Sequence, residues 1–154
     1  MQYTDMFSLE THDGDETSIS YRIAGDGPPL LLLHGFPQTN MMWHKIAPAL
    51  AERYTVVAAD LRGYGDSGHP ASDAAHTPYS KRAMAADMAG LMRGLGHDSF
   101  MVAGHDRGGR VAHRLARDHG DCVTRIAVLD IAPTAAMRAG SPRSTRRFRK
   151  ASRL

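Results

Sequence analysis

The chain has 154 residues, 42% apolar and 23% charged, the proportions of one globular domain, and no apolar run reaches the roughly 18–20 residues of a membrane span. Residues 1–9 lack a basic stretch followed by an apolar one, and Cys122 is the single cysteine, so a secretory leader, an intrachain disulfide and a multi-cysteine metal site are not expected, and a cytoplasmic location is. The net charge of +3 hides an uneven distribution: seven of the 19 Lys and Arg fall in 138–154 with no acid among them, leaving 12 basic and 16 acidic groups elsewhere, which argues against nucleic acid as a partner.

In chain order, 7–11 and 17–24 alternate in polarity around His12-Asp13-Gly14-Asp15 and predict an antiparallel hairpin. Residues 30–33, four leucines, form an apolar run ending at His34-Gly35, the pattern of a strand buried on both faces. Residues 40–53 predict a helix with Met42, Ile46, Ala49 and Leu50 on its inner face and Pro48 as an irregularity. A second buried strand, 55–59, gives way at Asp60-Leu61-Arg62-Gly63 to a long loop over 63–79 rich in Gly, Pro, Ser and Asp. The clearest helix covers 81–95, with Met84, Met88, Leu91, Met92 and Leu95 at helical spacing and Gly96 as its stop. A strand at 99–104, a helix at 108–119 and a strand at 125–131 complete the pattern. Alternation of helices with fully apolar strands predicts an α/β fold: a mostly parallel sheet with helices on both faces and an antiparallel hairpin at its N-terminal side. Residues 1–137 read as the core. The segment 138–154 is basic and without periodicity, so disorder is expected there.

In such sheets, ligands gather beyond the carboxyl ends of the strands. Gly104-x-Asp106-x-Gly108 has the spacing of a nucleophile elbow, with Asp where many such turns carry Ser. The turn from strand to helix is so sharp that the residues two before and two after must be small. The competing reading of Asp106 is an ordinary helix N-cap. Phe36 follows the first buried strand, and its N–H could join that of Arg107 as an oxyanion hole. His34 reads as a structural residue that fixes this loop. Arg107 and Arg110 lie in the first turn of a helix, where positive charge opposes the dipole by about 0.3–1 kcal/mol each. Two such cations beside a nucleophile make sense if the substrate is a carboxylate, which guanidinium groups bind in bidentate fashion. Gly63-x-Gly65-x-Ser67-Gly68 misses the dinucleotide fingerprint by one position. His76, His97, His113 and His119 show no metal spacing, and no metal or cofactor is expected.

The segments Leu32-Leu33-His34-Gly35-Phe36-Pro37-Gln38, Asp60-Leu61-Arg62-Gly63-Tyr64-Gly65-Asp66-Ser67 and Gly104-His105-Asp106-Arg107-Gly108-Gly109-Arg110 resemble the α/β-hydrolase superfamily. Within it they are most similar to the haloacetate (fluoroacetate) dehalogenases and, less closely, to the epoxide hydrolases. Leu129-Asp130-Ile131-Ala132-Pro133-Thr134 extends the match, which covers about residues 5–137. The resemblance implies that Asp106 attacks the carbon bearing a halogen and forms an ester, and that Arg107 and Arg110 bind the carboxylate of a small haloacid. It also implies that Asp130 orients a histidine that activates water. In such proteins that histidine and the lid come later than residue 154, so this chain is expected to be inactive alone, its last strand an exposed apolar edge. From residue 138 the sequence departs from the family, with a composition like an out-of-frame reading. Longer relatives are expected to be homodimers. The alternatives are an epoxide hydrolase-like enzyme or a non-catalytic binding protein that keeps the fold.

Overall fold

The apolar runs assemble, in the computed structural model, into one six-stranded sheet; residues 2–132 are described. The basic segment 138–154, with Pro133 and Thr134 of the last motif, lies outside the described residues. Strands β1 (Ser8–Asp13) and β2 (Ser18–Ala24) form the expected hairpin, paired from Ser8 opposite Ile23 to Asp13 opposite Ser18. Strands β3 (Pro29–Leu33), β4 (Thr55–Ala59), β5 (Phe100–His105) and β6 (Val123–Leu129) run parallel, and β2 joins them antiparallel to β4. The order across the sheet is β1-β2-β4-β3-β5-β6.

Strand alternation divides the core into two layers. Leu31 and Leu33 of β3 and Val57 and Ala59 of β4 face α3 (Lys81–Gly94) and α4 (Arg107–Asp118). Their neighbours Leu32, Val56 and Ala58 point the other way, against α1 (Tyr3–Met6) and α2 (Ala47–Ala51). This two-sided burial is why the strands read as unbroken apolar runs. On α3, Met84, Met88, Leu91 and Met92 are all buried, each contributing about 1.5–3 kcal/mol on removal from water.

The stretch 40–53 departs from the expected single helix. It forms a 3-10 turn, Asn40–Trp43, and then the short α2. Pro48 is the cause: it has no N–H to give to an earlier turn and its ring crowds the carbonyl four residues back, so it fits only in the first turn of a helix. The inner face is accordingly Asn40, Trp43, Ala47 and Ala51, while Ile46 and Ala49, both expected inside, are exposed. At the far side of the sheet β6 pairs with β5 alone among the described residues, and Ile126, Val128 and Leu129 are exposed, as expected for an apolar edge.

The loop after β4 is more ordered by packing than its composition suggests. Asp60, buried at the end of β4, accepts from the N–H of Asn40 at 2.5 Å and of Asp66 at 3.3 Å, while its own carbonyl accepts from the Ser67 hydroxyl at 2.7 Å. Gly65, at φ +52°, passes so close to the Asp60 carboxylate that a side chain there would overlap it. Arg62 is fully buried and donates through Nε and Nη2 to both oxygens of Asp87 on α3, at 2.6 Å each, and through Nη1 to the Pro78 carbonyl and Glu16. Removing one member of a buried pair costs about 3–5 kcal/mol, because the other is left charged and unpaired. Arg62→Met should therefore lower unfolding stability by about that amount at neutral pH. Burial already pushes the Asp87 carboxyl up, against the pull of Arg62. A raised carboxyl pKa means the folded chain binds the proton more readily than the unfolded one, so the deficit of the variant should shrink as the pH falls toward 4. Urea unfolding at the two pH values measures both effects.

Candidate functional site

The carboxyl ends of β3, β5 and β6 bring together most of the residues singled out by the sequence. β5 ends at His105, Asp106 turns the corner, and α4 begins at Arg107. Asp106 has φ +47° and ψ −113°, a conformation that an L-residue adopts at a cost of about 1–3 kcal/mol. The corner is closed on both sides: a Cβ on Gly104 would strike the Gly108 carbonyl, and one on Gly108 would strike the carbonyls of Leu33 and His34. The requirement for small residues two before and two after Asp106 is thus a backbone-to-backbone contact.

The Asp106 side chain does not cap α4. Instead its Oδ2 accepts from the N–H of Phe36, 3.0 Å away across the gap from β3. The Phe36 amide, then the Arg107 amide and the charges of His105 and Arg107, hold its carboxyl below the usual range and outweigh the opposing effect of its partial burial. Of the two amides expected to form an oxyanion hole, that of Phe36 bonds the carboxylate directly, and that of Arg107 acts on it in the same direction. The N-cap reading of Asp106 does not fit this arrangement.

The loop that carries Phe36 is fixed by His34. The Nε2 atom accepts from the Leu61 N–H at 3.0 Å, so the ring proton of the neutral form sits on Nδ1 and is donated to the Gly35 carbonyl at 2.8 Å. Complete burial favours that neutral form and lowers the His34 pKa. The ring spans from β3 to the start of the Asp60–Ser67 loop and has no nitrogen left for a substrate. His34 also meets the Tyr64 ring edge-on, with centroids 5.1 Å apart.

Tyr64 was not among the residues that sequence patterns single out, yet it holds Arg107. Its hydroxyl accepts from Arg107 Nη1 at 2.9 Å, and the guanidinium lies over the Phe36 ring, 4.6 Å from the centroid. None of the ion pairs among the described residues includes Arg107. Arg110, one turn along α4, is half-buried, and Arg107 and Arg110 both repel the ammonium of Lys81 at the start of α3. Lys81 is the second residue missed from sequence; its place at the head of the clearest helix gave no signal of proximity to Asp106.

Asp130 follows β6 at φ +53° with its side chain 87% exposed. Its Oδ2 lies 3.6 Å from Nε2 of His105, a partner that spacing alone did not suggest. The Nδ1 atom of His105 is enclosed and faces Gly35. Asp106, Phe36, Arg107 and Asp130 are thus placed around one end of the sheet. Among the described residues no group of three His, Cys, Asp or Glu side chains converges in the way metal ligands do, and no helix is long and apolar enough to cross a membrane.

The family model described as alpha/beta hydrolase fold matches residues 28–152. The chain belongs to the alpha/beta hydrolase fold family. It is 55% identical over 131 residues to a fluoroacetate dehalogenase of Burkholderia sp, a match covering 85% of this chain and 43% of that protein. It is 49% identical over 113 residues to a soluble epoxide hydrolase of Corynebacterium sp. (strain C12), covering 73% of this chain and 38% of the relative. The chain thus spans less than half the length of these relatives. Among solved structures, ALR0039 from Nostoc sp PCC 7120 superposes with a TM-score of 0.87 at 56% identity, over 91% of this chain and 48% of that one.

Proposed function

We propose that this chain carries the nucleophilic part of a hydrolase acting on small 2-haloacids, with Asp106 as the attacking group. The observation that carries the reading is the Asp106 carboxylate, held at a strained corner by the Phe36 amide when it could have capped its own helix. A carboxylate already ionised at neutral pH needs no base to attack. One oxygen forms a bond to the carbon bearing the halogen, the carbon–halogen bond breaks, and halide leaves with its electron pair. The product is an ester on Asp106. The amides of Phe36 and Arg107 remain with the ester carbonyl oxygen, and stabilise the negative charge that develops there when water attacks.

Hydrolysis of the ester calls for a base. By resemblance, Asp130 orients a histidine for that step in the longer relatives. Here His34 is committed to the loop, and His105 has one nitrogen enclosed and the other toward Asp130. In this chain the ester is therefore expected to persist.

The substrate class follows from Arg107 and Arg110. Stacking on Phe36 and the bond it donates to Tyr64 hold the Arg107 guanidinium in place before any ligand arrives, so little freedom is lost on binding a carboxylate. The second reading, an epoxide hydrolase, uses the same nucleophile, and a close relative bears that name. The two differ in charge. Arg107→Met and Arg110→Met should each slow labelling of the chain by chloroacetate roughly 10- to 100-fold, the equivalent of a lost charge-assisted hydrogen bond, and leave labelling by a neutral epoxide within about twofold. Mass spectrometry against time gives the rates. Equal loss with both reagents would remove the carboxylate from the account.

A further inference from the structure

Away from the corner, the outer flank of α3 is left open. Ala86, Gly90 and Gly94, four residues apart, share one face, and a side chain added at Gly90 would meet nothing within 4 Å. The turn of the β1–β2 hairpin stands opposite this face. Between them lies a cavity of about 410 Å³ that reaches down to the buried Ile19 and Arg62. The His12 ring closes one end, against Gly94. At the other end, a second cavity of about 510 Å³ shares Glu16, Ala83 and Ala86 with the first and continues to Pro70 and Pro78. The two make one groove, which follows α3 for about 17 Å from Ala83 to Gly94.

The groove is acidic: Asp13, Asp15, Glu16, Asp73 and Asp87 border it, against Arg62, Arg82 and Arg93. Arg62 is taken by Asp87 and Glu16, and Arg82 by Asp118. No ion pair among the described residues includes Asp13, Asp15 or Asp73. The Gly94 end adds the negative pole of the α3 dipole. Small apolar residues along the bottom and carboxylates along the edge fit a cationic peptide that carries one bulky apolar side chain.

This chain has such a segment. Arg146-Arg147-Phe148-Arg149-Lys150 sets one aromatic ring among four of the seven bases of 138–154, a stretch without an acid. The groove is also within reach. Tyr21, near the start of β2, pairs with Ala59 at the end of β4, so the hairpin turn lies at the end of the sheet where β6 finishes. Four strand spacings, about 19 Å, separate β2 from β6. The 16 residues from Ala132 to Phe148 can span up to about 50 Å. A segment of the same chain meets the groove at an effective concentration of about millimolar, so weak contacts suffice to fill it.

We propose that the groove along α3 is a docking site for the chain's own basic segment, with Phe148 over Gly90 and the flanking arginines against Asp13 and Asp15. The contact does not depend on the reaction at Asp106.

The test uses the 154-residue chain with Cys122→Ser and Ser144→Cys, a nitroxide being attached to the introduced thiol. At low salt the nitroxide should broaden the backbone amide resonances of Asp13, Gly14 and Gly90 well beyond those of Asp26 and Glu52, acidic residues at the other end of the sheet. Salt at about 0.5 M, which screens exposed charges, should remove the difference. Gly90→Leu fills the groove from its own floor and should lower the broadening to less than half, as should Phe148→Ser. Broadening spread equally over Asp26 and Glu52, or unchanged in Phe148→Ser, overturns the proposal. Phe148→Ser alters only the segment, so it decides alone if Gly90→Leu does not fold. A mixture of nitroxide-bearing chains with isotope-labelled chains that lack the nitroxide distinguishes the source: broadening of the same strength in that mixture would give the groove to another copy's segment and also overturn the proposal.

Discussion

Gly108→Ala will destabilise the chain by about 3 kcal/mol or more, at or beyond the upper end of what overpacking costs. The added methyl has nowhere to go. It points at the carbonyls of Leu33 and His34, and both belong to the central strand or the residue that ends it. Relief would need α4 to move away from β3, pulling Val111, Ala112 and Leu115 out of the core. Gly104→Ala meets the same obstacle from the other side, at the Gly108 carbonyl. Typical domains have only about 5–15 kcal/mol in hand, so either change takes a large share. Gly90→Ala is the matched control: it lies within α3 with nothing within 4 Å of the new methyl, and should stabilise by about 0.5–1 kcal/mol. Urea unfolding midpoints at unchanged slope would report all three. A Gly108→Ala variant as stable as the wild type would mean that the corner is looser than its geometry.

On the proposed reaction, Asp106→Asn should abolish halide release while leaving the fold intact. Asparagine tolerates positive φ nearly as well as aspartate, and its amide oxygen can still accept from Phe36. What it loses is the negative oxygen that attacks carbon. The wild-type chain should release about one halide per molecule from chloroacetate and then stop, because neither His34 nor His105 can deliver water to the ester. The variant should release none. Circular dichroism and unfolding midpoints matching the wild type would show that chemistry, not structure, was lost.

How much of this could be read from residues alone depends on the scale of the signal. The inner parallel strands β3 and β4 were legible because burial on both faces leaves an unbroken apolar run, as in Leu30 to Leu33. The corner was legible because Gly104 meets the Gly108 backbone within five residues of chain, where spacing carries the geometry, whereas the contact of Gly108 with the carbonyls of Leu33 and His34 had no local sign. The stretch 40–53 was misleading because its apolar spacing fits one long helix, whereas Pro48 is compatible only with the first turn of a short one. The true inner face, with Trp43 in the same buried cluster as Tyr3 and Phe7, is set by tertiary contacts that local periodicity does not encode. Arg62, a charged residue in a polar loop, gave no local sign of being fully buried; its partner Asp87 lies 25 residues away. Tyr64 and Lys81 were missed for the same reason, since each acts across a gap between elements. Asp130 lies at the strand end where its motif put it, but its contact with His105 had no sign in the sequence.

A covalent adduct on Asp106 is the observation on which the functional account turns. The chain, incubated with chloroacetate at neutral pH and then digested with a protease, should yield the peptide spanning His105 to Arg107 heavier by one carboxymethyl group, with fragmentation placing the added mass on Asp106 as its ester. The same peptide from Asp106→Asn should be unmodified. Alkylation found instead on Cys122 or a histidine, with Asp106 unlabelled after prolonged exposure, would contradict the account: the strained carboxylate would then be an element of structure alone.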